Sequence, residues 1–113
     1  METVSIADVA GGLDAAAHAA GGVPVVLDVR TPEEFAHAHV PGSLFIPMAV
    51  LPVRLGELDR ATTYHVICES GGRSHQVTAW LEQQGFDARN VIGGMSVWRA
   101  SGLPIETGLP VTG

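Results

Sequence analysis

A single cysteine, Cys68, opens a short glycine-containing loop that ends at Arg73. An apolar run precedes the loop and an amphipathic run follows it, which predicts a strand, a loop and then a helix. Gly71 and Gly72 tolerate positive φ, so we expect the backbone to curl with its N–H groups directed at one sulfur. The helix dipole and the Arg73 guanidinium then favour the thiolate over the thiol. The sequence therefore predicts a cysteine nucleophile that is ready at neutral pH, provided that solvent reaches its sulfur.

The elements that must position this loop alternate along the chain between helices and strands. We predict helices over residues 7–20, 32–37, 74–84 and 95–100, a short helix from Pro52, and strands over residues 23–29, 43–46, 64–67 and 90–92. This alternation is typical of an α/β fold with a central parallel sheet of about five strands flanked by helices. Ligands of such sheets bind beyond the carboxyl ends of the strands. The residues predicted at such ends are Asp28, Arg30 and Cys68.

Length and composition favour one globular domain over residues 1–113. The net charge is −6, and the six basic residues are scattered arginines, which argues against nucleic acid and anionic membrane surfaces as partners. No apolar run reaches the roughly 20 residues of a membrane span and no signal peptide is recognisable, so we expect a cytoplasmic protein. One cysteine and five scattered histidines indicate neither a disulfide nor a metal site, and we expect no metal and no cofactor.

Five segments of the chain, in order, resemble the motifs of the rhodanese (thiosulfate sulfurtransferase) family in its single-domain form. They are residues 27–30, 31–35, 39–43, 68–74 and 93–98. This resemblance covers nearly the whole chain and implies a three-layer rhodanese-like fold and a sulfurtransferase activity. His39 lies in a segment similar to the His-x-Pro-Gly turn of that family, and we expect it to order the turn.

Two reactions suit a thiolate in an anion-binding loop: attack on sulfane sulfur, which gives a persulfide, or attack on phosphorus, which gives a thiophosphate. Cys68 and Arg73 enclose four residues, whereas the cysteine-dependent phosphatases, some of which share the rhodanese fold, enclose five. The smaller ring suits one extra sulfur atom. Sulfur transfer is therefore favoured over a phosphatase or arsenate reductase activity.

The expected sulfur transfer is a double displacement on Cys68. Cys68 takes the outer sulfur of a donor such as thiosulfate, and a thiol, cyanide or a sulfur-acceptor protein then removes it. Arg73 either holds the anionic end of the donor or braces the loop through backbone carbonyls. The residues expected to form the substrate-binding loop, with amides that stabilise the thiolate and the persulfide, are Glu69, Ser70, Gly71, Gly72 and Ser74.

Asp28 and Arg30 are expected to support the site, and the resemblance implies the same. We expect Asp28 to accept backbone N–H hydrogen bonds and Arg30 to pair with Glu33 or Glu34.

Glu69 is the residue that works against this reaction, because a carboxylate beside a thiolate repels it unless the side chain points outward. Rhodaneses that prefer thiosulfate often carry basic residues in the loop. Glu69 therefore favours a second hypothesis, in which the chain is a persulfide carrier, a sensor or a partner-binding module without useful turnover.

Overall fold

The structure is a computed structural model that describes residues 1–16 and 24–110. Its strands are β1 (Glu2–Val4), β2 (Val25–Asp28), β3 (Leu44–Phe45), β4 (Thr63–Ile67) and β5 (Asp87–Val91). Its α-helices are α1 (Ile6–Ala16), α2 (Pro32–His37), α3 (Gly72–Gln83) and α4 (Gly94–Ala100), and a 3₁₀ helix spans Leu51–Glu57.

The five strands form one sheet in the order β1-β5-β4-β2-β3, and every neighbouring pair is parallel. One core cluster joins the sheet to α3 and the 3₁₀ helix, with Leu51 and Leu81 among its buried residues. A second cluster joins the opposite face to α1 and α4, with Val9 and Trp98. Helices therefore cover both faces, and the predicted α/β fold with a parallel sheet is confirmed.

The register of the sheet brings the ends of β2 and β4 together. Asp28 is aligned with Ile67, and the N–H of Val29 donates to the carbonyl of Ile67 at 3.2 Å. Since Arg30 and Cys68 follow these strands, the topology places both beyond the carboxyl ends of the strands, on the same side of the sheet's end.

Several boundaries differ from the sequence prediction. The end of the first helix at residues 17–20 and the start of the 23–29 strand lie outside the described residues. Strand β1 was missed, because a three-residue edge strand with one buried side chain, Val4, carries almost no periodic signal. The segment from Pro52 is a 3₁₀ helix whose first turn has no side-chain cap. No helix in the described ranges is long and apolar enough to cross a membrane.

Helix α3 begins two residues earlier than expected. Gly71 adopts a left-handed conformation, with φ of 107°, and precedes the helix. Gly72, for which the sequence suggested the same freedom, is instead the first helical residue and has no positive φ. Arg73 consequently lies in the first turn of α3, whereas the prediction placed it in the loop before the helix.

Candidate active site

The loop that starts at Cys68 is fixed by the main chain of α4. The N–H groups of Met95 and Ser96 donate to the carbonyls of Cys68 and Glu69, both at 2.9 Å. A Cβ atom at position 94 would lie 2.3 Å from the Cys68 carbonyl oxygen, so only glycine permits this approach. The Gly93-Gly94 pair, which the sequence indicated only as a turn, therefore serves the close packing of α4 on the loop.

Hydrogen-bond donors surround the sulfur of Cys68. The N–H of Gly71 donates to Sγ at 3.0 Å, and the Ser74 Oγ lies 3.3 Å from it. Burial is the largest influence and raises the pKa of Cys68, but hydrogen bonds outweigh it and leave the pKa below its ordinary value. Those bonds come from the Ser74 hydroxyl and from backbone N–H groups of Ser74, Gly71 and Ser70. Of the amides expected to curl around the sulfur, the Gly71 N–H lies within hydrogen-bond distance of Sγ.

Access to the sulfur differs from the expectation. Cys68 is 1% exposed. Little of the residue is therefore open to an incoming donor, and a reaction at the sulfur requires more of it to be exposed.

A buried network continues from Cys68 to β5. The Ser74 Oγ lies 2.5 Å from Asn90 Oδ1, and Asn90 Nδ2 donates to the carbonyl of Gly71 at 3.4 Å. Because Oδ1 only accepts, the Ser74 hydroxyl donates to Asn90 Oδ1 in this geometry, and it must turn to Sγ to stabilise a thiolate. Sequence reasoning missed Asn90; the available signal was a polar amide at the start of the predicted 90–92 strand.

Arg73 contacts a different partner from those predicted. Its guanidinium donates two hydrogen bonds of 2.7 Å to the Glu34 carboxylate. This bidentate pair holds the pKa of Glu34 at about 2, well below its ordinary value. Glu34 is also the capping-box residue of α2, with Thr31 as the N-cap. Arg73 therefore joins the first turn of α3 to the start of α2.

Asp28 and Arg30 form a buried pair at the ends of the strands. Arg30 Nη2 donates to Asp28 Oδ2 at 2.8 Å and to the Ala38 carbonyl at 2.7 Å. Asp28 also accepts the backbone N–H of Arg30 at 3.1 Å, as predicted. The expected pairing of Arg30 with Glu33 or Glu34 was wrong, because Asp28 is closer along the chain and buried beside it.

Glu69 is held by two arginines. Arg30 Nη1 lies 3.4 Å from Glu69 Oε1, and Arg99 Nη1 donates to the same oxygen at 3.1 Å. The other arm of the Arg99 guanidinium contacts Glu69 Oε2. Arg99 lies on α4, and nothing in the sequence singled it out. These contacts place the Glu69 carboxylate at the surface, where it is 34% exposed.

A cavity of 390 Å³ opens beside these ion pairs. Its lining residues are Arg30, Glu33, Glu34, His37, Glu69 and Arg99. It contains three carboxylates and two guanidiniums, so the cavity beside the start of the Cys68 loop is charged.

His39 lies in a packed segment. Its Nδ1 is 2.7 Å from the Phe35 carbonyl oxygen, and its ring stacks on the Phe35 ring with centroids 3.7 Å apart. The backbone of His39 also pairs with Glu106. These contacts favour the predicted role of His39 in ordering its turn.

Comparisons with known proteins define the class of this chain. The model of the rhodanese-like domain family matches residues 11–101. A sulfurtransferase of Allochromatium vinosum is 39% identical over 82 residues, which cover 72% of this chain and 77% of that protein. The crystal structure of a rhodanese-related protein from Thermoplasma volcanium superposes with a TM-score of 0.84 at 30% identity, covering 96% of this chain and 100% of the other. The chain belongs to the rhodanese-like domain family.

One relative differs in its description. YrkF of Bacillus subtilis, described as a candidate sulfur carrier protein, is 39% identical over 74 residues, which cover 65% of this chain and 40% of that protein. The relatives of this chain therefore include both a sulfurtransferase and a protein described as a sulfur carrier.

Proposed function

We propose that this protein is a sulfurtransferase that carries sulfane sulfur on Cys68. The observation that carries the proposal is the set of donors around Sγ, which lowers the pKa of Cys68 despite its burial. A thiolate is the nucleophile in such reactions. The same backbone N–H groups suit a persulfide anion, which has its negative charge one atom further out.

The proposed cycle has two displacements. The Cys68 thiolate attacks the outer sulfur of thiosulfate, the S–S bond of the donor breaks, and sulfite leaves with the electron pair. An acceptor thiolate or cyanide then attacks the outer sulfur of the Cys68 persulfide. The second S–S bond breaks, which gives a new persulfide or thiocyanate and restores the thiolate.

The residues around the loop have supporting roles in this proposal. The Gly71 N–H stabilises the negative sulfur, and the Ser74 hydroxyl does so when it turns from Asn90 Oδ1 to Sγ. Arg73 fixes the first turn of α3 through Glu34.

Mass spectrometry of the intact protein tests the cycle. We expect incubation with thiosulfate, or with a small organic persulfide, to add one sulfur atom to the wild-type chain. Cys68→Ser, which keeps the side-chain size, should abolish both this gain and thiocyanate formation. Since Cys68 is the only cysteine, an unaltered mass after several sulfane donors would exclude the proposed carrier residue.

A carrier without useful turnover is the second candidate. The 1% exposure of Cys68 favours it, because a closed sulfur exchanges slowly with free small molecules. The distinguishing measurement compares the loading of Cys68 with its discharge to cyanide and to dithiols. Persulfide that forms but leaves with none of these acceptors would indicate the carrier, and repeated turnover would indicate the enzyme.

A further inference from the structure

Every guanidinium next to the Cys68 loop, within the described residues, is already paired with a carboxylate. The three pairs are Arg30 with Asp28, Arg73 with Glu34, and Arg99 with Glu69. A fourth carboxylate, Glu33, lines the same cavity. The surroundings therefore carry an excess of negative charge even before the thiolate is counted.

We propose that Glu69 determines substrate specificity: by neutralising Arg99 beside the reactive cysteine, it disfavours small dianionic donors such as thiosulfate and favours thiols and persulfides that carry positive charge. This inference rests on the proposed function. It assigns the physiological partner to one chemical class, namely a positively charged thiol or the persulfide of such a thiol.

The position of the pair explains why Glu69 is the determinant. Both members are about one-third exposed and line the cavity, whereas Arg30 and Asp28 are buried. The Arg73–Glu34 pair is similarly exposed, but Arg73 does not line the cavity. Arg99 is thus the partly exposed guanidinium of this cavity, and Glu69 is paired with it. Charge at such partly exposed positions contributes about 0.2–1 kcal/mol, which is at most about a fivefold change in binding, and salt screens the effect.

The transfer of sulfur from the Cys68 persulfide to a thiol balances whether the rest of that thiol is positively or negatively charged. A thiolate RS⁻ attacks the outer sulfur of the Cys68 persulfide, the S–S bond to Sγ breaks, and RSS⁻ leaves while the Cys68 thiolate returns. Only R changes between partners, so the charge of R can be varied without changing the reaction.

Two variants separate charge from structure because they delete the same ion pair. Glu69→Gln leaves Arg99 without its carboxylate and makes the cavity more positive. Arg99→Gln leaves Glu69 with only its 3.4 Å contact to Arg30 and makes the cavity more negative. We expect kcat/KM for thiosulfate to rise about two- to fivefold in Glu69→Gln and to fall by a similar factor in Arg99→Gln. A purely structural role of the pair would move both variants in the same direction.

The acceptor side uses a matched series of thiols: cysteamine, 2-mercaptoethanol and 3-mercaptopropionate, with rates of discharge divided by thiolate concentration. Wild-type protein should prefer cysteamine, Arg99→Gln should strengthen this preference, and Glu69→Gln should weaken it. The differences should shrink as salt is raised. Glu57→Gln is the control, because it deletes another exposed arginine–glutamate pair, with Arg54, outside the cavity; its rates should match the wild type.

The two proposals fail in different ways. If the wild type gains no sulfur from any donor, the proposed function and this inference both fail. If it gains sulfur but discharges it equally to all three thiols, or if both variants shift thiosulfate kinetics in the same direction, sulfur transfer stands and selection by Glu69 is wrong.

Discussion

Two arginine–carboxylate pairs lie next to each other at this site, and they differ in burial. Arg30 and Asp28 are 1% and 0% exposed, whereas Arg99 and Glu69 are 35% and 34% exposed. Glu69 also contacts Arg30 at 3.4 Å, so the two pairs meet. The same type of ion pair therefore has two roles. The buried pair holds the strand ends in place, and in our proposal the exposed pair sets the charge that a substrate meets.

Removal of the buried arginine should have the largest effect on stability. Arg30→Met leaves the Asp28 charge buried without its partner, which costs roughly 3–5 kcal/mol. Arg99→Gln should cost less than about 1 kcal/mol, because exposed pairs contribute little. Urea unfolding of both variants measures the difference. Equal losses of free energy would show that burial does not distinguish the pairs.

Loss of the Ser74 hydroxyl should lower the reactivity of the Cys68 thiol. Among the contacts that lower the pKa of Cys68, the Ser74 hydroxyl is the largest. Ser74→Ala should therefore raise that pKa and slow alkylation at neutral pH about tenfold for each unit of pKa. The measurement is the alkylation rate against pH. Glu57→Gln is again the control, and an unchanged midpoint in Ser74→Ala would remove Ser74 from the stabilisation of the thiolate.

The Glu34 pair should show the smallest effect, and it should depend on pH. Because the folded pKa of Glu34 is lowered from 4.5 to about 2, its contribution is fully present above pH 4.5 and is lost as the pH falls through about 2. Glu34→Gln retains the capping box and should destabilise the protein by about 1 kcal/mol or less at pH 7.

The difference from wild type should be smaller near pH 2, where the wild-type carboxyl is also losing its charge. Urea midpoints at the two pH values test this. A difference that does not change with pH would mean that Glu34 acts through packing or capping and not through its charge.

The fold could be predicted from the sequence because its signals are local. The apolar runs of β2 and β4, the Thr31 to Glu34 capping box and the glycine loop each fall within a few residues. Pairing across the site could not be predicted, since Arg73 reaches Glu34 and Arg99 reaches Glu69 only after the helices have packed. The identity of a residue such as arginine gives its charge but does not indicate which carboxylate it will pair with.

Burial of Cys68 was missed for a related reason. The loop sequence indicates which atoms surround the sulfur on its own side. What lies above it depends on side chains from other elements. The pKa direction could be predicted from the glycines and the helix start, but the 1% exposure could not.

The close approach of Gly94 to the Cys68 carbonyl has a practical consequence for engineering. The carbonyls of the loop are satisfied by N–H groups of α4, and any larger residue at position 94 would collide with them. The seven residues from Cys68 to Ser74 could therefore not be transferred to another protein on their own. A scaffold that received them alone would leave two carbonyls without donors, and a successful transplant would have to include the Gly93-Gly94 turn and the start of the helix behind it.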